Sequence, residues 1–392
     1  MRCTLRGARL IDATLDIPRG DITVNGTRIQ SVGHASEAQD LVIEANDMIV
    51  MPGFIDVHTH GGGGFNLHTT EVNQIGAYAR WVPTTGVTAF LIAVVGTPGS
   101  LPEAQLGTAI AAMNHFEVGA EPLGIHLEGP YISAVKRGAH LPSWLRAPDA
   151  TETERVLAIT DGYLRVVTLA PELPGASAMV SRLIEAGVTV SIGHTDATYE
   201  QAQEAIALGI THATHCFNAM RPLHHRYPGP LAAIAQAAQV RGELIADGVH
   251  VHPAAMEALV KLLGPQRVIV ITDALAAAGM STGTFDFAGQ PAQVVSGVAR
   301  LSDGTITGSV LTMDQALRNM LSMTHVSLQE AVGMLTLNPA RAAGVTERKG
   351  QLKAGYDADL LVFDASLALQ ATICRGTLTY ATEAWRQRWQ ES

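Results

Sequence analysis

The chain has 392 residues, of which 47% are hydrophobic and 16% charged, and its formal net charge is −10. A chain of this length and composition buries a large core, which excludes a disordered protein and allows one large α/β domain with a smaller appendage. Its Lys and Arg residues are scattered and form no basic stripe, so the composition argues against nucleic acid and against an anionic membrane as partners.

The three cysteines, Cys3, Cys216 and Cys374, lie far apart and include no CxxC pair. Neither a disulfide framework nor a thiolate zinc site is therefore expected. The sequence contains no uninterrupted apolar run of about 18 residues and no charged-then-apolar leader followed by a cleavage site. We therefore expect a cytoplasmic protein with reduced thiols.

Residues 1–50 are predicted to form a small β unit. Short alternating strands, with no helix among them, are expected at 10–11, 21–24, 28–29 and 41–43. After residue 49, apolar β-branched runs alternate with Ala-rich amphipathic segments such as 198–208 and 254–263. This alternation is typical of a parallel sheet covered by helices.

The alternating region contains eight predicted strands, at 54–58, 87–95, 122–128, 164–170, 188–193, 212–217, 243–247 and 267–272. Eight such strands predict an α/β fold of the (β/α)8 TIM-like barrel type. After helices at 313–323 and 327–336, the chain returns to short strands within 355–364. We therefore expect a barrel at 51–344 and a small discontinuous β-sandwich built from 1–50 and 345–392.

Histidines and acids stand at the ends of these predicted strands, among them His58, His60, Glu128, His194 and His215. Because the carboxyl ends of parallel barrel strands meet at one mouth, these side chains are expected to become neighbours. The first two histidines are two residues apart on a strand, so both rings point to the same side, as one ion about 2.1 Å from each ring nitrogen requires. Glu128 would be costly to bury without a cation or hydrogen-bond donors.

Each of these residues also has a simpler interpretation. His58 and His60 could be surface histidines, and His194 and His215 could be hydrogen-bonded histidines of the core. Their common placement at successive strand ends favours a divalent metal site. Imidazole and carboxylate ligands fit zinc, and they also fit manganese, iron or cobalt.

Asp273 follows the eighth predicted strand. A carboxylate at this position could accept the proton of an activated water and later pass it to a leaving group. Alternatively, it could cap the segment that follows. The convergence of the other strand ends favours the catalytic role.

Two segments resemble the amidohydrolase superfamily, namely PGFIDVHTH at 52–60 and GYDADL at 355–360. More narrowly, the chain is similar to the deacetylases of N-acetylglucosamine 6-phosphate. This narrower similarity lies in HLEGPY at 126–131, GAH at 138–140, GHT at 193–195, HCFNAM at 215–220, DGVH at 247–250 and TDA at 272–274. The similarity spans nearly the whole chain.

The resemblance implies a homodimer that releases acetate from the 2-acetamido group of a phosphorylated N-acetyl amino sugar. It places one divalent ion, most simply zinc, on Glu128, His194 and His215. Because this chain also has His58 and His60, a second ion bridged by Glu128 is expected, giving one or two ions per subunit. His140 would polarise the acetyl carbonyl, unless the metal does so.

The resemblance also implies a set of substrate-binding residues: Ala139, His140, Asn218, Ala219, Arg226, His250, Ile306, Thr307 and Gly308. Arg226 and His250 would face the phosphate, with Arg226 reaching into the neighbouring subunit's site. Arg and His donors suit phosphate because they form charge-assisted hydrogen bonds with it. The simpler interpretation of residues 224–226 is an exposed loop.

Other functions stay open at this point. The same chemistry could act on N-acetylgalactosamine 6-phosphate or on an N-acyl amino acid. A non-catalytic scaffold is a further alternative, but the complete set of candidate ligands argues against it. Residues 131–146 could form a flap over the site.

Overall fold

The computed structural model describes residues 2–34, 41–280 and 282–391. Its central feature is an eight-stranded parallel sheet whose strands follow one another in sequence order. The strands are Phe54–Asp56, Val87–Val95, Glu121–Glu128, Leu164–Leu169, Thr189–Ile192, His212–Ala213, Arg241–Ile245 and Val268–Ile271. At the mouth, the backbone N–H of Asp273 donates to the carbonyl of His58 at 2.9 Å, which links the last strand to the first. The predicted (β/α)8 TIM-like barrel is confirmed.

Most helices cover the barrel, whereas the last one, Glu383–Glu391, packs on the sheet formed by the two ends of the chain. The helices within the described residues are Val72–Trp81, Glu103–Asn114, Ala150–Thr160, Ala176–Glu185, Tyr199–Ala207, Gly229–Gln236, Pro253–Leu263, Met313–Met323, Leu328–Leu335, Leu337–Ala342 and Glu383–Glu391. Thr198 and Ser327, predicted as first helical residues, are instead N-caps, each with a capping box that satisfies free backbone N–H groups.

A second sheet brings both ends of the chain together, as the predicted β-sandwich requires. Its strands are Arg2–Ile11, Asp16–Asn25, Arg28–Val32, Leu41–Glu44, Ile49–Pro52, Leu360–Phe363, Leu369–Cys374 and Thr377–Ala381. Ile49–Pro52 pairs with Leu360–Phe363 on one side and with Arg2–Ile11 on the other. This pairing joins N-terminal to C-terminal residues. We propose that the two units meet near residues 50 and 345.

A small three-stranded antiparallel sheet, absent from the sequence prediction, consists of Gly283–Phe287, Gln290–Val295 and Val298–Arg300. Its first turn has positive φ at Ala288 and Gly289, which suits a tight two-residue hairpin. Phe287 and Val294 pack with Ala139, Trp144 and Leu275 in a separate apolar cluster. The sheet therefore supports the segment at 131–146, which was considered as a flap.

One predicted strand is too long. The strand expected at 212–217 ends at Ala213, because His215, Phe217 and Ala219 all have positive φ and turn the chain away from the sheet. A hairpin at Gly61–Gly62 and Phe65–Asn66 was also not predicted.

Within the described parts of the chain, no helix combines the length and apolar character that a membrane crossing needs. All three cysteines are buried and unpaired.

Candidate active site at the mouth of the barrel

A cavity of about 190 Å³ opens where the barrel strands end. It is enclosed by side chains from six of the eight strand ends and from two later loops. The lining residues include His60, Glu128, Ala139, His140, His194, His215, Asn218, Ala219, His250, Asp273, Ile306 and Gly308. The structure therefore gathers residues that lie up to 248 positions apart in the sequence, from His60 to Gly308, as expected for a barrel mouth.

Glu128 is the central acid of the cavity and is only 3% exposed. Its Oε1 lies 3.1 Å from His194 Nε2, 3.2 Å from His215 Nε2 and 3.3 Å from His58 Nε2. Its Oε2 lies 3.3 Å from His60 Nε2 and 3.6 Å from His140 Nε2. Burial alone would raise the pKa of this carboxyl, but the positive charge of His58 and the hydrogen bonds from the other histidines hold the pKa well below its usual value.

His194 and His215 face each other across this carboxylate, with their Nε2 atoms 3.0 Å apart. Both leave their strands in the left-handed backbone region, with φ of 47° and 27°. Such conformations are sparsely populated for residues other than glycine, and they are retained where surrounding structure enforces them. The turn out of each strand therefore aims each ring at Glu128. Burial lowers the pKa of His194 to about 4, so this ring is neutral and free to act as a ligand.

His58, His60 and Asp273 form the other half of the cluster. Asp273 Oδ1 lies 3.1 Å from His60 Nε2 and 3.7 Å from His58 Nε2. Burial opposes protonation of His60, but the hydrogen bonds and charges of Asp273 and Glu128 raise its pKa to about 9. Burial would also raise the pKa of Asp273, yet the charges of His58 and His60 keep the pKa of this carboxyl below its usual value.

These groups fit a divalent ion. Two ligands at about 2.1 Å from a shared ion are separated by roughly 3.0–3.4 Å, which matches the distances around Glu128 Oε1. Ligand atoms of His58, His60 and Asp273 lie within 4.8 Å of one another, as do those of Glu128, His140 and His194. Two imidazole nitrogens 3.0 Å apart cannot both point a proton at the other, whereas both can bind one cation. The simpler interpretations as surface or ordinary core histidines do not explain this arrangement.

His140 belongs to the segment at 131–146, which lies against the cavity. Its Nδ1 is buried and has no hydrogen-bond partner among the residues that the structure describes. The carbonyl of the preceding Ala139 accepts a hydrogen bond from Gln290 Nε2 at 3.0 Å, which ties this segment to the three-stranded sheet. His140 therefore lies beside Glu128 on a supported loop.

The residues expected to bind substrate are distributed unevenly. Most of them line the cavity, and His250 is fixed by a 2.7 Å contact between its Nδ1 and Asp247 Oδ2. Burial lowers the pKa of His250, but the hydrogen bond and charge of Asp247 outweigh burial and raise that pKa, which favours the cationic imidazole. Thr307 is buried and does not line the cavity, and its hydroxyl has no hydrogen-bond partner among the described residues. Arg226 is exposed and does not line the cavity of its own subunit.

Four residues of this region were not predicted from the sequence. Phe287 lines the cavity beside His60, with ring centroids 5.4 Å apart, and comes from the three-stranded sheet that was not predicted. Gly138 and Val249 also line the cavity. Glu243 lies beneath the cluster, against His58. The available signal for Glu243 was an acid followed directly by apolar residues within a predicted strand.

Comparison with known proteins agrees with this geometry. The amidohydrolase family model matches residues 49–388. The N-acetylglucosamine-6-phosphate deacetylase of Lysinibacillus sphaericus is 36% identical over 384 residues, which cover 96% of this chain and 98% of the relative. The N-acetylgalactosamine-6-phosphate deacetylase of Escherichia coli O157:H7 is 37% identical over 337 residues, or 86% of this chain and 89% of the relative.

Solved structures give the same result. The Mycobacterium smegmatis N-acetyl-D-glucosamine-6-phosphate deacetylase, solved as an aspartate-to-alanine mutant with N-acetyl-D-glucosamine 6-phosphate, superposes with a TM-score of 0.90 at 37% identity. That match covers 97% of this chain and 99% of the other. The corresponding enzyme of Pasteurella multocida has a TM-score of 0.91 at 27% identity, with 97% and 100% covered. The chain therefore belongs to the amidohydrolase family and, within it, to the family of the N-acetylglucosamine-6-phosphate deacetylases.

Proposed function

We propose that this enzyme hydrolyses the acetamido group of N-acetylglucosamine 6-phosphate, releasing acetate and glucosamine 6-phosphate in amino-sugar catabolism. One observation supports the proposal: the carboxylate of Asp273 lies 3.1 Å from His60 Nε2 in a buried cluster of imidazoles around Glu128 at the mouth of the barrel. Amide hydrolysis needs a group that first takes a proton from water and then gives it to the departing nitrogen, and we assign both steps to Asp273.

Glu128, His194 and His215 would hold one divalent ion, and His58 and His60 a second. Such an ion would supply a Lewis acid for the acetyl carbonyl and lower the pKa of the attacking water. We propose zinc as this ion. Manganese, iron and cobalt satisfy the same ligands.

The protein side chains would carry the proton transfers. Asp273 accepts a proton from the water that attacks the acetyl carbon, and it delivers that proton to the amine nitrogen as the C–N bond breaks. We assign His140, whose Nε2 lies 3.6 Å from Glu128 Oε2, the role of an N–H donor that would stabilise the negative charge developing on the carbonyl oxygen. The amine and acetate then leave, and Asp273 returns to its ionised form.

Substrate recognition would combine the cavity with a phosphate site. Ala139, Asn218, Ala219, Ile306, Thr307 and Gly308 would contact the sugar and its acetamido group. His250, whose pKa is raised by its partner Asp247, and Arg226 from the neighbouring subunit of a homodimer would bind the phosphate. The homodimer and the cytoplasmic location are predictions from the sequence that we retain.

A second candidate substrate is N-acetylgalactosamine 6-phosphate. The N-acetylgalactosamine-6-phosphate deacetylase of Escherichia coli O157:H7 is 37% identical to this chain, and the N-acetylglucosamine-6-phosphate deacetylase of Lysinibacillus sphaericus is 36% identical. The two sugars differ in the orientation of one hydroxyl, so both would satisfy the acetamido and phosphate contacts.

A substrate panel on metal-replete enzyme tests the proposal. Acetate release is measured with N-acetylglucosamine 6-phosphate, its galacto epimer, unphosphorylated N-acetylglucosamine and an N-acyl amino acid. We expect kcat/KM to be highest for the gluco phosphate. A higher value for the galacto epimer would replace the substrate within the same chemistry, and hydrolysis of the N-acyl amino acid alone would overturn the sugar-phosphate assignment.

A further inference from the structure

Glu243 lies inside the barrel, directly beneath the cluster, and does not reach the cavity. It stands on strand Arg241–Ile245 and has no exposed surface. Its Oε2 lies 2.9 Å from His58 Nδ1 and 3.1 Å from the backbone nitrogen of His215. Its Oε1 lies 3.0 Å from His212 Nε2. Both carboxylate oxygens are therefore engaged, and two of the three contacts lead to candidate metal ligands.

The contacts of Glu243 determine the orientation and tautomer of His58. An ionised carboxylate only accepts hydrogen bonds, so the His58 ring must carry a hydrogen on Nδ1. The Nε2 atom is then the only ring nitrogen left for a ligand. This Nε2 is buried and has no hydrogen-bond partner in the described part of the chain, and it lies 3.3 Å from Glu128 Oε1 and 3.7 Å from Asp273 Oδ1.

The other candidate ligands are held differently. The Nδ1 of His194 lies 2.9 Å from the carbonyl oxygen of Lys136. The Nδ1 atoms of His60 and His215 have no hydrogen-bond partner among the described residues. Metal-binding imidazoles usually have a carboxylate, a backbone carbonyl or a water as outer partner, and among these four rings only His58 has a buried carboxylate.

A separate cation site made of His58, His126 and Glu243 is a competing interpretation, because their ligand atoms lie within 4.8 Å of one another. Both nitrogens of His126 are already engaged, however, at 3.0 Å from the Val57 carbonyl and 2.8 Å from Thr168 Oγ1. Since the oxygens of Glu243 are engaged as well, this group has no free ligand atoms except on His58. The geometry therefore favours a supporting role for Glu243.

We propose that Glu243 is a positioning residue that holds His58 as an Nε2 ligand of the second divalent ion. The inference rests on the proposed metal centre and deepens it, since it names the residue on which occupancy of the second ion depends. The residue touches no substrate. Loss of such an outer partner typically weakens metal binding about 10- to 100-fold.

Metal binding, measured without substrate, tests this role. Metal-free wild type and Glu243→Gln are titrated with Co²⁺, followed by visible absorption, with stoichiometry from elemental analysis. We expect two binding steps in the wild type and a loss of about 10- to 100-fold in affinity for only one of them in the variant. An unchanged titration overturns the inference. A wild type with only one Co²⁺-binding step, unchanged in Glu243→Gln, also overturns the inference. Acetate release is assayed separately, so in that case the proposed function is still tested on its own.

His212→Gln is the matched control. Its side-chain amide can still donate to Glu243, so the bond between Glu243 and His58 is kept while the buried network is altered. We expect both binding steps to remain, and the same loss as in Glu243→Gln would show a general packing effect and overturn the inference. Thermal melts establish folding. If Glu243→Gln does not fold, Glu243→Asp replaces it, since this variant keeps the negative charge on a shorter side chain. We expect Glu243→Asp to weaken the same metal-binding step that Glu243→Gln is expected to weaken.

Discussion

At the scale of single residues, three of the side chains that meet at the mouth leave their strands with positive φ. They are His194, His215 and Asp273. A backbone of this kind costs about 1–3 kcal/mol per residue unless the side chain favours it, as Asp and His do in part. Each turn sends its side chain into the cavity instead of along the sheet. The local strain and the convergence of the site therefore have one structural origin.

We predict that Asp273→Asn removes most of the turnover. The amide keeps the size of the side chain but cannot accept and return a proton, so kcat should fall by about 10²- to 10⁴-fold. Metal content by elemental analysis and substrate affinity by equilibrium binding should stay close to wild type. Turnover equal to that of the wild type would show that another group transfers the proton.

At the scale of elements, the loop at 131–146 carries His140 and depends on the three-stranded sheet. Gln290 donates to the carbonyl of Ala139, and Phe287 and Trp144 share an apolar cluster with it. The support comes from residues more than a hundred positions away in the sequence. The position of His140 is therefore set by tertiary packing and not by its own segment.

We predict that Gln290→Ala loosens this loop. The loss of one hydrogen bond, worth about 0.5–1.5 kcal/mol, should speed hydrogen exchange at 131–146 and raise KM several-fold. Gln293→Ala is the control, since Gln293 is on the same strand but exposed. Equal exchange rates in the two variants would contradict a supporting role for Gln290.

At the scale of the whole molecule, a buried ionic network connects the barrel to the terminal sheet. Lys349 Nζ lies 2.9 Å from Glu121 Oε2, at the start of a barrel strand, and 2.5 Å from Asp359 Oδ2, just before a strand of the terminal sheet. Arg348 makes a second connection of the same kind, with ion pairs to both Glu121 and Asp357. Buried charges are tolerated when they are paired in this way, so the network fixes how the two units join.

We predict that Glu121→Gln lowers the free energy of unfolding by about 1.5–3 kcal/mol at pH 7, because it removes charge-assisted hydrogen bonds. Burial opposes ionisation, but Arg348 and Lys349 lower the pKa of Glu121 from 4.5 to about 2. A depressed pKa stabilises the fold above the unfolded-state value and loses that effect as pH falls through the folded-state value. The difference between wild type and variant should therefore shrink below about pH 4.5.

Denaturant unfolding between pH 7 and pH 3 checks this prediction. Glu103→Gln is the control, because Glu103 forms a similar two-contact pair with Arg155 on the exposed surface. Exposed pairs of this kind contribute little, so its effect should be small at every pH. A difference for Glu121→Gln that does not change with pH would contradict the ionic explanation.

The proposed homodimer makes a prediction at the same scale. If Arg226 serves the neighbouring subunit's site, then a mixed dimer of Arg226→Ala and Asp273→Asn subunits has both defects in one site and leaves the other site intact. Subunits of the two variants, dissociated and reassembled together, should recover about a quarter of wild-type activity. No recovery after confirmed exchange would show that Arg226 acts within its own subunit.

The sequence by itself determined the barrel, the β unit at both ends and the composition of the proposed site. Hydrophobic periodicity is a local property, and a strand such as Val87–Val95, with every residue buried, is recognisable without its neighbours. The residues expected at the mouth could be named because parallel strand ends converge in any barrel. The premature end of the strand at Ala213 could not be predicted, since its cause is a backbone turn at His215 that periodicity does not show.

Only the tertiary structure decided which side chains at the barrel mouth are in direct contact and which are close without contact. The distances around Glu128, the support of Ala139 by Gln290, and the orientation of His58 by Glu243 all join residues from distant parts of the chain. No local pattern specifies such contacts, because they depend on the rotation and stagger of strands about the barrel axis. The residue types at the mouth follow from the sequence, whereas the arrangement that makes them a site follows from packing.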